Sequence, residues 1–171
     1  MGYRMRACIV SCLTALQLLA CLPVSAAERF DLRDQVVRDR TSGLVWTRSA
    51  NLPGKDLPLT EAREFIRKLN RQKHGGFADW RLPTREEILT LVEYGRANGY
   101  GKDDPALHGN TIAAFLNKQG FSGVELGSYW TSGKAGQKNF ESWVVFMEDG
   151  SDYQGPQAGS NFVWPVRSGR K

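Results

Sequence analysis

The sequence predicts an α+β fold in which helices precede a half built mainly of strands. Two stretches with the apolar spacing of amphipathic helices lie between residues 60 and 95, and short strand-like runs come before them. After Gly127 the chain becomes rich in aromatic and β-branched residues, a composition typical of strands. Helices and strands separated along the chain in this way favour α+β over an alternating, parallel-sheet architecture.

The first 27 residues are predicted to be a secretion signal. Two arginines precede residues 7–27, which carry no charge and end in the small residues Ala26 and Ala27. An uncleaved membrane anchor is one alternative, because 21 uncharged residues are long enough to span a bilayer. We therefore expect residues 28–171 to form one exported domain, either periplasmic or secreted.

A lipid anchor is a second alternative for the N-terminus. Leu18-Leu19-Ala20-Cys21 resembles the processing site of bacterial lipoproteins, in which the cysteine becomes the acylated first residue. Leu19 and Gln17 make the match imperfect. The protein is expected to contact a membrane only if Cys21 is lipidated, and it would then lie anchored in the cell envelope.

Cysteine content and charge exclude several classes of site from the predicted domain. All three cysteines lie within the first 27 residues, so the domain has no disulfide, no thiolate nucleophile and no cysteine-bound metal. About 145 residues are enough for a core that is stable without disulfides. Without Arg4 and Arg6 the chain keeps 21 basic and 18 acidic residues, a net charge of +3. This mild excess does not indicate a nucleic-acid partner.

Local signals place the elements of the first half. Residues 36–48 are predicted to form two strands around a turn in which Gly43 supplies a positive φ. A first helix is expected to begin at a Thr60 cap and to stop at Gly75-Gly76. Its buried face is predicted to contain Ala62, Phe65, Ile66 and Leu69.

A second helix is predicted from the stretch "DWRLPTREE", and more elements follow it. Thr84 and Glu87 have the spacing of a capping box, and Gly95 is expected to end the helix. A third short helix is predicted at 111–118. The predicted strands are 128–132, 142–147, 151–155 and 162–167, with a hairpin turn at Asp149-Gly150.

Five motifs in order give the chain a family resemblance. They are "VRDRTSGLVW" (37–46), "EAREFIRKLN" (61–70), "DWRLPTREEILTLV" (79–92), "YWTS" (129–132) and "VWPVRSG" (163–169). The chain resembles the C-terminal domain family of bacterial collagen-like adhesins (Lcl). That resemblance implies a C-type-lectin-like fold: two main helices flank a small twisted, mostly antiparallel sheet, the terminal strands pair, and the C-terminal half is rich in loops. It also implies an exported bacterial protein, as the family members are, and the namesake of the family resembles a surface adhesin for sulfated glycosaminoglycans.

Two departures limit what the resemblance implies. Many family members carry a cysteine in the first helix and another before the closing Val-Arg, where this chain has Ile66 and Pro165. Packing is therefore expected to replace a disulfide. These residues also contain no collagen-like repeat, so the multivalent adhesion of the namesake is not carried over.

The stretch "WRLPT" is interpreted as architecture rather than as a catalytic strip. Trp80 and Leu82 are expected to pack the helix start against the sheet, and Arg81 to pair with a carboxylate or to bond backbone carbonyls. A ligand-contacting strip is the alternative. The full set of predicted structural positions is Trp46, Trp80, Arg81, Leu82, Pro83, Thr84, Glu87, Trp130 and Arg167.

Catalytic and metal chemistry have little support in the sequence. "WRLPT" also occurs in formylglycine-generating enzymes, but their chemistry needs two active-site cysteines, which this domain lacks. His74 and His108 are far apart and have no ligand motif, and no serine has a G-x-S-x-G context. Two acidic clusters are weak calcium candidates: Asp103-Asp104, and Glu148 with Asp149 and Asp152. We predict no catalytic residue, no metal site and no cofactor.

Two sets of residues are candidate ligand contacts. Arg63, Arg67 and Arg71 recur every four residues with Lys68 nearby, and are expected to form a basic stripe opposite the apolar face of the first helix. A sulfated or phosphorylated polymer is suited to bind there in a salt-sensitive way. The alternative is a solvated helix face partly neutralised by glutamates. The second set, Tyr153, Gln154 and Asn161, is suited to stacking on and hydrogen bonding to a sugar or peptide.

These observations together predict a non-enzymatic binding module. The expected partner is a sulfated or acidic polysaccharide, or another component of the envelope. A structural or assembly module that docks on an envelope protein is the alternative, and a divergent enzyme of the formylglycine-generating type is a third reading, opposed by the missing cysteines.

Overall fold

A computed structural model describes residues 28–101, 109–134, 141–156 and 158–169. The predicted secretion signal, with its candidate lipidation site at Cys21, lies outside the described residues. The same holds for His108 and for the candidate calcium loop at Asp103-Asp104.

Three α-helices and nine strands make up the described part of the chain. The helices are α1 Leu59–Arg71, α2 Arg85–Ala97 and α3 Ile112–Lys118, and a 3₁₀ turn lies at His74–Gly76. The strands are β1 Phe30–Leu32, β2 Val36–Asp39, β3 Leu44–Thr47, β4 Leu57–Pro58, β5 Ser128–Lys134, β6 Glu141–Phe146, β7 Asp152–Pro156, β8 Ser160–Asn161 and β9 Val166–Ser168.

The strands form antiparallel sheets, which confirms the α+β prediction. Among the described residues there are three sheets: β1-β2-β3-β9, β5-β6-β7 and the short pair β4-β8. The prediction of one small sheet is therefore too simple. The last strand does join the N-terminal strands, but β9 pairs with β3 and not with β1, so that Trp46 lies opposite Val166.

Two apolar clusters hold these elements together. The larger lies between the four-stranded sheet, α2 and α3, and the rings of Trp46 and Trp164 meet in it with centroids 5.3 Å apart. The smaller cluster gathers the buried face of α1 against Trp80 and Trp130. Burial of large apolar side chains is the main stabilising contribution in a domain of this size.

The first helix begins and ends differently from the prediction. Pro58 precedes it, no side chain caps it, and Thr60 lies exposed within its first turn. Leu59, which is fully buried, starts the helix, so tertiary packing places this end rather than a hydroxyl cap. The helix stops at Arg71, before the two glycines that were predicted to end it.

The second helix has the predicted cap but a different end. Thr84 accepts a hydrogen bond from the Glu87 amide, and the Glu87 carboxylate accepts one from the Thr84 amide, which confirms the capping box. Gly95 does not end α2. It is buried inside the helix, where a Cβ would lie 2.7 Å from Cδ1 of Ile112, so this glycine allows α3 to approach closely.

The predicted strands agree with the structure except at the end of the chain. The hairpin around Gly43, whose φ is +71°, and the turn at Gly150, whose φ is +79°, are both present. The predicted strand at 162–167 is wrong as a single element. Residues 163–165 are irregular and buried between β8 and β9, and Pro165 has no amide hydrogen with which to continue a strand ladder.

Candidate functional site

The "WRLPT" segment is joined to α1 by a pair of hydrogen bonds that resemble strand pairing. The Asn70 side chain on α1 donates to the Trp80 carbonyl (2.9 Å) and accepts from the Trp80 amide (2.7 Å). The Trp80 indole is 2% exposed, and its Nε1 donates to the His74 carbonyl (3.0 Å). Trp80 is thus held from both its backbone and its ring.

The next residues join the same segment to both sheets. Arg81 and Val166 of β9 exchange two backbone hydrogen bonds of 2.9 Å, and the Pro83 carbonyl accepts from the Ser132 amide of β5 (2.7 Å). Leu82 between them is buried in the smaller cluster. The segment therefore links α1, β9, β5 and the start of α2, which is the position that an architectural role requires.

Arg81 takes part in the α2 cap through its side chain. Its guanidinium donates two hydrogen bonds of 2.6 Å to the Glu87 carboxylate, which also accepts from the Thr84 amide (2.8 Å). Burial raises the pKa of Glu87, but the bonds from Arg81 and Thr84 outweigh burial and hold that pKa below its usual value. The Arg81 side chain is still 41% exposed, so its outer edge faces solvent.

The remaining predicted structural residues are buried. Trp46 is fully buried, and so is Trp130, whose Nε1 donates to the Leu57 carbonyl (2.7 Å). Arg167 lies under the ring of Phe77, with its guanidinium carbon 4.0 Å from the ring centroid, and it bonds both oxygens of Asp79 (2.6 and 3.1 Å). These contacts fix β9 against the loop that leads into Trp80.

A groove with a basic rim lies between α1 and this segment. Its volume is about 280 Å³. The buried side chains of Ile66 and Leu82 contribute its apolar lining. We use the name basic groove for the surface lined by Arg63, Ile66, Arg67, Arg81, Leu82 and Ser132. An apolar floor with charged groups at the edge is suited to an anionic ligand that also carries carbon surface.

The arginine stripe of α1 lies on a flank of the helix. The sequence spacing predicted a stripe opposite the apolar face, whereas Arg63 and Arg67 line the basic groove next to the buried Ile66 and so border that face. Residues four apart advance about 40° around a helix, which turns Arg71 further out toward solvent. Lys68 is exposed on α1 and does not line the groove.

The cations of this surface are partly neutralised within the protein. Glu64 accepts from Nε (2.8 Å) and Nη2 (2.5 Å) of Arg67, and from Nη2 of Arg71 (3.5 Å). Arg63 has no ion pair among the described residues. The four arginines of the groove and the stripe carry four positive charges, and the carboxylates of Glu64 and Glu87 carry two negative ones. The net charge of this surface is therefore +2; the arginines are Arg63, Arg67, Arg71 and Arg81. The surface is therefore cationic, although only moderately.

The aromatic candidate set does not form one surface. Tyr153 is 47% exposed, and its hydroxyl shares a hydrogen bond of 2.7 Å with the Ser128 hydroxyl. Gln154 follows it in β7, and successive strand residues point to opposite faces, so these two side chains cannot contact one ligand face together. Asn161 is half-buried in β8, opposite Leu57.

Two other grooves have about twice the volume of the basic groove, and a third, of about 300 Å³ beside Arg38 and Arg40, is similar to it in size. The charges of the two large grooves are balanced more closely. One of about 500 Å³ lies along β2 beside Phe77, and its Arg33 pairs with Asp31. The other, of about 650 Å³, lies beside Phe30 and Tyr94. Its Arg29 is held by the buried Asp39. Size alone does not make either of them the better candidate for an anionic ligand.

Acidic and histidine side chains in the described residues do not converge on a metal position. No group of three or more His, Cys, Asp or Glu side chains in this part of the chain is close enough to hold an ion. Asp149 accepts from the Ser151 amide in the β6–β7 turn, and Asp152 pairs with Arg85 on α2. The His74 ring lies against Trp80, and burial lowers the pKa of this histidine.

These features define an α+β protein with a cationic groove between a helix and a sheet-bound segment. The chain belongs to the Lcl C-terminal domain family, whose match covers residues 35–167. The matched range runs from the start of β2 into β9 and includes every residue of the basic groove. A comparison with curated proteins finds no significant match. Of the helices in the described ranges, none has the length and apolar character needed to cross a membrane.

Sequence reasoning missed two parts of this surface. Ser132 reaches the groove only because β5 pairs with the Pro83 carbonyl, a contact between positions 49 residues apart. Glu64 is one of the glutamates expected to neutralise the stripe, and its three-residue spacing to Arg67 is the signal that would have predicted their ion pair. Arg81 was assigned to the architecture, and the structure places it at the rim of the groove as well.

Proposed function

We propose that the protein is a non-enzymatic binding module of the bacterial envelope that takes sulfated or acidic glycans in the basic groove. The observation that carries the proposal is the convergence of Arg63, Arg67 and Arg81 around an apolar floor. Arginines from two separate segments, α1 and the "WRLPT" segment, line one groove, which a solvated helix face alone would not produce.

The chemistry of the groove supports a sulfated ligand in particular. A guanidinium offers paired N–H donors that match the oxygens of sulfate, phosphate or carboxylate groups. Ile66 and Leu82 provide carbon surface against which the ring of a sugar can lie. The stripe continues outward to Arg71, so a polymer has more than one point of contact along α1.

Binding of this kind is expected to weaken as salt rises. Arg63 and Arg67 are exposed, and the Arg81 side chain is 41% exposed. Contacts between exposed charges are screened over about 30 Å at 0.01 M salt but over about 8 Å at 0.15 M. A ligand held mainly by apolar contact or by a buried protein interface would show little such dependence.

A glycan array tests the proposal. The protein purified after export from a bacterial host is applied at two salt concentrations to an array that includes heparin-like and other sulfated polymers. We expect salt-sensitive binding to the sulfated polymers and weaker binding to neutral ones. Absence of binding at low salt would contradict the proposal. Capture of one envelope protein in a salt-tolerant manner would then favour the docking module instead.

A further inference from the structure

We propose that Glu64 is an internal competitor for the ligand of the basic groove, and that it restricts this surface to ligands with several closely spaced anionic groups. This inference rests on the proposed function, because it concerns the same arginines. It identifies Glu64 as a residue that sets specificity. It also narrows the proposed ligands from acidic glycans in general to those with several closely spaced anionic groups.

The geometry of Glu64 is that of a bound anion. One carboxylate oxygen accepts both Nε and Nη2 of Arg67, and the other oxygen accepts Nη2 of Arg71. A sulfate or carboxylate that binds Arg67 in the bidentate way, through its Nε and Nη2 edge, would need the same N–H groups. Glu64 therefore occupies, within the protein, the edge of Arg67 that an anionic group of the ligand would take.

The contact is weak enough to be displaced. The Glu64 side chain is 56% exposed, and ion pairs between exposed side chains contribute little to stability. Hydrogen bonds and charge from Arg67 lower the pKa of Glu64, so the carboxylate remains ionised and keeps competing throughout the neutral range. Displacement returns Glu64 to water without burying it.

Ligands with one anionic group and ligands with many face this competitor differently. A single anion that binds Arg67 replaces one ion pair by another, so it gains little binding free energy. A polymer first reaches Arg63, which has no ion pair among the described residues and precedes Arg67 by one helical turn, about 6 Å along the axis. Its next anionic group then competes with Glu64 at a high effective concentration.

The test compares Glu64→Gln with the matched variant Glu61→Gln. Both changes remove one negative charge from α1, and Glu61 is exposed with no ion pair among the described residues. Affinity for heparin is measured by titration at low salt. We expect Glu64→Gln to bind about two- to fivefold more tightly than the native protein, as loss of an exposed pair predicts. The gain from Glu61→Gln should be clearly smaller.

A second readout uses inorganic sulfate as a probe with one anionic centre. The Nε–H resonance of Arg67 is followed by NMR during a sulfate titration, with ionic strength held constant by chloride. In Glu64→Gln the resonance should shift at sulfate concentrations that leave the native and Glu61→Gln proteins unchanged. Circular dichroism confirms that the variants are folded.

The outcomes separate this inference from the proposed function. Equal gains in the two variants would overturn it, because net charge alone would explain them. Weaker binding by Glu64→Gln would also overturn it, and would show that Glu64 holds Arg67 in place for the ligand. If sulfate shifts the Nε–H resonance of Arg67 only in Glu64→Gln but no variant binds heparin, the inference about Glu64 is supported and the proposal of glycan binding is contradicted. No response to either probe contradicts both.

Discussion

At the scale of single residues, Trp80 illustrates how one side chain is fixed by several elements at once. Its ring is buried against α1 and its Nε1 bonds the His74 carbonyl, while Asn70 binds its backbone on both sides. Removing the ring leaves a cavity where α1, the "WRLPT" segment and β9 meet.

Trp80→Ala is therefore expected to lower the free energy of unfolding by about 3–5 kcal/mol. Urea denaturation followed by circular dichroism measures the change. Tyr153→Ala serves as the control, because that ring is 47% exposed, and its loss should change stability by less than about 1 kcal/mol. Similar effects of the two substitutions would contradict the burial of Trp80.

Asp39 gives a prediction about pH at the same scale. The residue is fully buried and bonds Arg29 through both oxygens (3.0 and 2.6 Å). Burial raises the pKa of Asp39, but Arg29 and the turn residues Thr41 and Ser42 outweigh burial and bring the pKa below its ordinary value of 3.8. A carboxyl whose folded-state pKa is lowered stabilises the fold above its unfolded pKa, and this contribution is lost as pH falls through the folded pKa.

Asp39→Asn is accordingly expected to destabilise the protein by about 3–5 kcal/mol at pH 7, since it leaves Arg29 buried without its counter-charge. The difference between the native protein and this variant should shrink when denaturation is repeated below about pH 4. A difference that stays constant down to pH 2 would show that the carboxylate charge contributes nothing.

At the scale of elements, the two long helices start by different physical means. The first turn of α2 is closed by the reciprocal bonds of Thr84 and Glu87. The first turn of α1 has no side-chain cap, and its start is set by the buried Leu59. A threonine near a predicted helix start is thus informative only when its hydroxyl meets a free amide.

Thr84→Ala is expected to lower the free energy of unfolding by about 1 kcal/mol. Thr60→Ala is a matched control, because Thr60 lies exposed inside α1 and alanine is the better helix former. Chemical denaturation should therefore show no loss for Thr60→Ala. If Thr60→Ala is the more damaging of the two, the observed start of α1 is contradicted.

Local signals predicted the elements well where neighbours in sequence decide the structure. The Gly43 hairpin and the capping box involve residues at most four positions apart, and both are present. The errors fall where distant contacts decide. Gly95 lies inside α2, where the absence of a side chain leaves room for Ile112 of α3, and α1 begins at the buried Leu59 and not at a Thr60 cap.

At the scale of the whole molecule, the candidate site joins parts that the sequence separates. Arg63 and Arg67 were predictable from the period of one helix, but their position beside Arg81 follows from the Asn70–Trp80 hydrogen bonds. Ser132 arrives from β5, after α2 and α3. Helical spacing reveals a charged stripe, whereas only the tertiary arrangement shows that the stripe borders a groove.

The export of the chain is a further prediction at this scale. Mass spectrometry of the protein recovered from the envelope of a bacterial host should find an N-terminus at Ala27 or Glu28. A mature chain that begins with an acylated Cys21 would instead support the lipid-anchored alternative. A full-length chain beginning at Met1 would contradict both kinds of processing.

The most direct test of the basic groove is the affinity of three matched proteins for heparin. Arg63→Ala/Arg67→Ala removes two cations from the groove, and Arg38→Ala/Arg40→Ala removes two exposed cations from the β2–β3 hairpin. Titration at about 0.01 M and about 0.15 M salt measures how much of the affinity depends on charge, and the hairpin variant shows how much of that attraction is general. We expect the groove variant to lose roughly tenfold or more in affinity at low salt, and the hairpin variant to lose much less. Equal losses, or no binding by the native protein at low salt, would contradict the account.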